Sequence, residues 1–176
     1  MTQRSLAFFL VLFSFCMCSY AAGAHVHGTA TMQIAIEGNN VEVALIAPLE
    51  SLLGFERAPR NDKERQAVQM MMKQLSDPSA LLIPTAAARC TPAKPRITAP
   101  ALDARTKVPG HEKHDEAHAE LEAVISFHCA VPAALNSMEV RLFDAFPRLQ
   151  NLKAEVAPAG KQSAASLSRE RRTLFW

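Results

Sequence analysis

Residues 29–48 read TATMQIAIEGNNVEVALIAP, and this stretch decides the fold. Ala30, Met32, Ile34 and Ile36 alternate with Thr31, Gln33, Ala35 and Glu37, a period of two that gathers the apolar side chains on one face of a strand. Gly38, Asn39 and Asn40 supply the turn, and Val41, Val43 and Leu45 resume the alternation until Pro48. The stretch is a β-hairpin with one buried face. Beyond Pro48, an apolar and partly acidic segment stopped by Gly54 predicts a short helical turn.

Asn61 followed by Glu64 has the spacing of a capping box, and Val68, Met71, Met72 and Leu75 follow at i, i+3, i+4 and i+7. One amphipathic helix is expected, ended by Asp77 and Pro78. Met70, Met71 and Met72 invite comparison with a thioether copper site, but consecutive helical positions stand about 100° apart and cannot converge on one ion. Core packing accounts for them better. Residues 80–98 are β-like and punctuated by proline, and Pro92, Pro95, Pro100 and Pro109 mark an extended connection up to Gly110. Residues 111–118 are the most polar in the chain and suit a solvated loop. From Leu121 to Cys129 every second residue is apolar, which predicts a long half-buried strand with its cysteine facing the core. Ala, Glu, Lys and Leu would favour a helix over 111–124, but the alternation from Val124 to Cys129 overrules it locally. Strand-like runs then recur over 138–143, 149–156, 162–167 and 174–176. The sum is an α+β domain, an antiparallel sheet with one main amphipathic helix and a Pro- and His-containing loop.

The chain has 176 residues, 49% of them hydrophobic, which suffices for one ordinary core and not for two large domains. A formal charge of +2 without a basic block beyond Arg169, Arg171 and Arg172 excludes nucleic acid as a natural partner. Residues 1–24 carry Arg4, an apolar run of about a dozen residues and a small-residue end, the pattern of a Sec-type signal peptide and too short to span a bilayer. Residues 25–176 then form a single exported domain with a linker at about 99–118 and no membrane span. Cys16 and Cys18 leave with the leader. Cys90 and Cys129 remain, and an even pair in an exported chain reads as a disulfide, the alternatives being two buried thiols or a metal held by cysteine. Closing a loop of about 40 residues stabilises a fold by at most about 4 kcal/mol.

Catalytic templates are missing: there is no Gly-x-Ser-x-Gly, no His-Glu-x-x-His and no phosphate-binding glycine loop, so no enzyme activity is expected. Histidine placement is more informative. His25 and His27, read as i and i+2 of the first strand, share its exposed face with Thr29 and Thr31. Cleavage after Ala24 would also leave the His25 amine free to chelate Cu²⁺ together with His27; the alternative is a frayed terminus. His111, His114, Asp115 and His118 fall at spacings that bring them to one side of a helical turn, and a flexible loop can converge them as well. Three imidazoles with a carboxylate or water satisfy tetrahedral Zn²⁺; the alternative is an acidic, solvated linker. His128 continues the polar face of the strand that follows and could join them, although ordinary hydrogen bonding suits it better.

His25-Val26-His27-Gly28, the segment from Ile34 to Asn39, Pro48-Leu49-Glu50-Ser51-Leu52-Leu53-Gly54-Phe55-Glu56, Phe127-His128-Cys129, Phe146-Pro147 and Gly160-Lys161-Gln162 together resemble the ZrgA family of exported zinc-uptake proteins. The resemblance spans nearly the whole of residues 25–176, and the block at 48–56 is its most specific part. It implies a periplasmic Zn²⁺-binding protein that assists zinc acquisition, with a His- and Asp-rich loop between the two cysteine-bearing strands. Residues 111–118 hold that place here and are short for the family. The expected function is therefore Zn²⁺ binding through His111, His114 and His118, with His25 and His27 assisting, and transfer to a zinc importer's periplasmic binding component. A copper carrier built on His25 and His27, or a non-metal envelope interaction module, is the competing expectation.

Overall fold

The computed structural model describes residues 27–102, 119–157 and 162–176. The hairpin forms as expected. β1 (Thr29–Glu37) and β2 (Asn40–Pro48) pair antiparallel with Ile34 opposite Val43. Ala30, Met32, Ile34, Val41, Val43 and Leu45 are buried while Thr31, Gln33 and Glu42 face out, so the period-two pattern is the period of burial. A short helix α1 (Leu49–Leu53) follows, closed by Gly54 at φ +84, whose N–H donates to the Glu50 carbonyl at 2.8 Å. A left-handed cap of this kind favours glycine.

The main helix, α2 (Asp62–Leu75), starts at Asn61, whose side chain accepts from the Glu64 N–H at 2.9 Å. The reciprocal half of the expected capping box is displaced by one residue. Glu64 accepts from the Arg60 N–H at 2.7 Å, and it takes two further hydrogen bonds from the Arg57 guanidinium at 2.7 and 3.0 Å. Met71 and Leu75 are buried, Val68 and Met72 half-buried, and Met70 is exposed, which is a helix rotating one stripe into the core.

Residues 80–98 depart from a simple run of strands. α3 (Pro78–Leu81) leads into β3 (Leu82–Pro84), then a 3-10 turn (Ala86–Ala88), β4 (Cys90–Pro92) and β5 (Arg96–Thr98). Pro84 and Pro92 end their strands at three residues because proline brings no N–H to a ladder. β6 (Glu120–Cys129) is the long strand anticipated, and Leu121, Ala123, Ile125, Phe127 and Cys129 are all buried. β7 (Ser137–Val140) is shorter than expected, since Leu142 and Phe143 are adjacent and both buried, which one face of a strand cannot accommodate; they lie instead in α4 (Leu142–Ala145). β8 (Asn151–Ala157), β9 (Ser163–Leu167) and β10 (Thr173–Phe175) complete the chain.

Two sheets result. The larger runs β4-β6-β2-β1-β8-β9, with β5 also pairing β6, and the smaller runs β10-β7-β3. Pairing is antiparallel throughout except between β1 and β8, which are parallel, with Met32 opposite Ala154. One face of the large sheet, the helices and the small sheet contribute to a single core cluster that includes Met32, Ile125, Met71, Leu75, Met138 and Phe143. Arg169 and Arg172 bind the two carboxylate oxygens of Asp144 at 3.1 and 2.6 Å and so tie the last turn of chain to α4. Among the described residues no helix is long and apolar enough to cross a membrane.

Cys90 and Cys129 face each other across the β4–β6 ladder and are joined as a disulfide. Reduction, or the Cys90→Ser and Cys129→Ser double variant, is expected to lower unfolding free energy by up to about 4 kcal/mol, measured by urea titration. An unchanged midpoint would show that the bond adds nothing to β4's attachment. The Arg57 hydrogen bonds, with that from the Arg60 backbone, lower the Glu64 carboxyl from 4.5 to about 2. A lowered folded-state value stabilises the fold above the ordinary carboxylate range and loses that contribution as pH falls through the folded value. The stability difference between the intact chain and Glu64→Gln is therefore expected at pH 6 and should fade between about 4.5 and 2. A difference independent of pH would contradict this.

Candidate functional site

The large sheet has two ends of different character, set by the registers of its central strands. Cys129 at one end of β6 donates its N–H to the Asn39 carbonyl in the β1–β2 turn, beside the disulfide. At the other end Pro48 of β2 lies opposite Glu120 of β6, and Leu49 N–H donates to the Ala119 carbonyl at 2.9 Å. β1 begins at this same end, with Thr29 opposite Asn151 of β8. β5 runs antiparallel to β6, from Arg96 opposite Val124 to Thr98 opposite Glu122, and so heads the same way. The 3-10 turn Pro100–Leu102 that follows packs Ala101 and Leu102 on the core. β5 thus runs toward, and β6 starts from, the end that carries α1 and the start of β1.

That end holds a polar cluster built from three segments. Gly28 adopts φ +75 and donates its N–H to the Oγ of Ser51, a fully buried side chain of α1, at 2.9 Å. The Gly28 carbonyl accepts from the N–H groups of Gln150 and Asn151 at 2.8 and 2.9 Å. The positive φ at position 28 favours glycine, and a Cβ there would also press on the Arg148 carbonyl at 3.2 Å. His27 therefore does not extend β1, which starts at Thr29, and the expected strand-face placement is corrected: the positive φ of Gly28 breaks the alternation. The His27 Nδ1 lies 3.0 Å from Glu50 Oε2 on α1. Glu50 Oε1 in turn accepts from the Arg148 guanidinium at 3.2 Å.

Of the residues singled out as metal ligands, His27 is described and is paired with Glu50. His25, His111, His114, Asp115 and His118 lie outside the described residues, as do residues 1–24 and most of the proline- and histidine-containing connection. His128 stands near the disulfide end, its Nδ1 3.3 Å from Asn40 Oδ1. Nine steps along the extended strand, about 30 Å, separate it from Ala119 and so from the end that holds His27 and Glu50. Among the described residues no three His, Cys, Asp or Glu side chains come together as a metal site. Glu50 and Arg148 escape sequence analysis because Glu50 meets His27 across 23 positions and Arg148 meets Glu50 across 98, both only through the fold. Their one trace in the sequence is the block at 48–56, where Glu50 sits.

No curated protein matches the chain. The model of the ZrgA family zinc uptake proteins matches residues 24–176, the whole of the chain beyond the first 23 residues. With that coverage, the chain belongs to the ZrgA family of zinc uptake proteins.

Proposed function

We propose that this protein is an exported, periplasmic carrier of Zn²⁺ that binds the ion through His111, His114 and His118, with Asp115 and the N-terminal His25 and His27 as further donors. It performs no chemical reaction; it buffers Zn²⁺ or hands it to the periplasmic binding component of an importer. The family match begins at Ala24, where the signal-peptide pattern ends, and this supports export. The observation that carries the reading is the convergence of β5 and β6 on the end of the sheet that holds His27 and Glu50. Ala119, the residue that follows His118 in the sequence, accepts from the N–H of Leu49, the first residue of α1. Imidazole nitrogens on two segments and carboxylates beside them form a donor set suited to Zn²⁺.

The test is calorimetric titration of the oxidised mature protein with Zn²⁺, Cu²⁺ and Ni²⁺. The intrinsic preference of N and O donors favours Cu²⁺ over Zn²⁺, so the decisive comparison is between variants for one metal. The triple variant His111→Ala, His114→Ala and His118→Ala is expected to lose at least tenfold in Zn²⁺ affinity while its circular dichroism spectrum is retained. Unchanged affinity in that variant would move the site to His25 and His27.

A further inference from the structure

The contacts of His27 decide which of its nitrogens can meet a metal. A carboxylate only accepts hydrogen bonds, so a neutral imidazole whose Nδ1 lies 3.0 Å from Glu50 Oε2 carries its proton on Nδ1 and keeps its lone pair on Nε2. The His27 side chain is 73% exposed and Glu50 only 24%, which leaves the ring open to solvent while its anchor is sheltered. Glu50 is fixed from the other side as well, because Arg148 donates to its second oxygen at 3.2 Å. Arg148 can reach that position because residue 54 has no side chain. A Cβ there would stand 2.8 Å from the guanidinium carbon and from Nε of Arg148. Gly54, Arg148, Glu50 and His27 thus form a chain of contacts running from the cap of α1 to an imidazole.

We infer that Glu50 is a positioning residue for His27, holding it in the Nδ1–H form so that Nε2 is presented as a Zn²⁺ ligand, and that Arg148 in turn holds Glu50. This rests on the zinc reading above and deepens it. A carboxylate behind a ligating histidine fixes the ring orientation and raises the basicity of the nitrogen that faces the metal, and loss of such a partner lowers affinity about 10- to 100-fold. None of these four residues is in the core cluster, so substitutions at His27, Glu50 and Arg148 can be compared in folded protein.

Two measurements test this on the full mature chain. Long-range nitrogen–proton NMR correlations on the metal-free protein at pH 8 are expected to show His27 as the Nδ1–H tautomer, and Glu50→Ala is expected to abolish that preference. Zn²⁺ titration should then show His27→Ala and Glu50→Ala each binding about tenfold or more weakly than the intact chain. The double variant should be no weaker than His27→Ala alone, since Glu50 acts only through the imidazole, and Glu50→Gln should fall between Glu50→Ala and the intact chain. An Nε2–H tautomer in the intact protein, or undiminished Zn²⁺ binding in His27→Ala or Glu50→Ala, would overturn the inference and leave the zinc reading standing. Failure of the intact chain to bind Zn²⁺ would overturn both.

Discussion

The register between β2 and β6, with Val43 opposite Ile125, is the constraint on which the molecule depends. Both strands bury every second side chain, so a slip of β6 by one residue against β2 would turn Ile125 and Phe127 to solvent. The same register fixes where β6 begins and ends. Its last residue becomes the disulfide partner of Cys90, and its first lies against Pro48, directly before α1. Covalent closure and the polar cluster are therefore held at opposite ends of one strand, about 30 Å apart. Neither can shift without the buried face of the sheet shifting with it.

Features that local chemistry specifies were readable in the sequence. The hairpin follows from strict alternation around Gly38, Asn39 and Asn40, α2 from its Asn61 cap and the spacing of Met71 and Leu75, and the Cys90–Cys129 bond from the logic of an even pair in an exported chain. What escaped depends on partners distant in sequence. Within residues 80–98, read only as β-like, the separate strands β3, β4 and β5 are too short to show a period, and each is defined by the strand it pairs with, β7 or β6. The parallel pairing of β1 with β8 has no local signature, since an isolated strand reads the same in either sense. The end of β7 was missed for a different reason. Leu142 continues the alternation of Met138 and Val140, and only the burial of Leu142 and Phe143 side by side reveals the helical turn.

The polar cluster at the start of β1 divides along the same line. His27 could be named as a donor from residue type alone, but its place on the face of the first strand assumed that alternation runs back through Gly28, where a positive φ interrupts it. Glu50 and Arg148 carry no motif. Their importance lies in the topology, which lays α1 against the start of β1 and brings the chain after Phe146 back to the same corner. The Ser51 hydroxyl beneath them is fully buried and satisfied by the Gly28 N–H, so the corner is fastened from inside as well as by surface charge. A surface ion pair alone holds little, and here the buried backbone contact provides the rigidity.

The brevity of β4 and β5 also shapes how this protein meets copies of itself. An open sheet border is a template that identical chains can extend, edge to edge, into aggregates. On the side beyond β6 that template is interrupted: Pro92 and Pro95 bring no N–H, Lys94 and Arg96 set two solvated cations between and beside them, and the Ala93 N–H is already engaged by the Ser126 carbonyl. Pro92 and Pro95 thus occupy gatekeeper positions one strand outside the long apolar β6, where a continuous ladder would otherwise run.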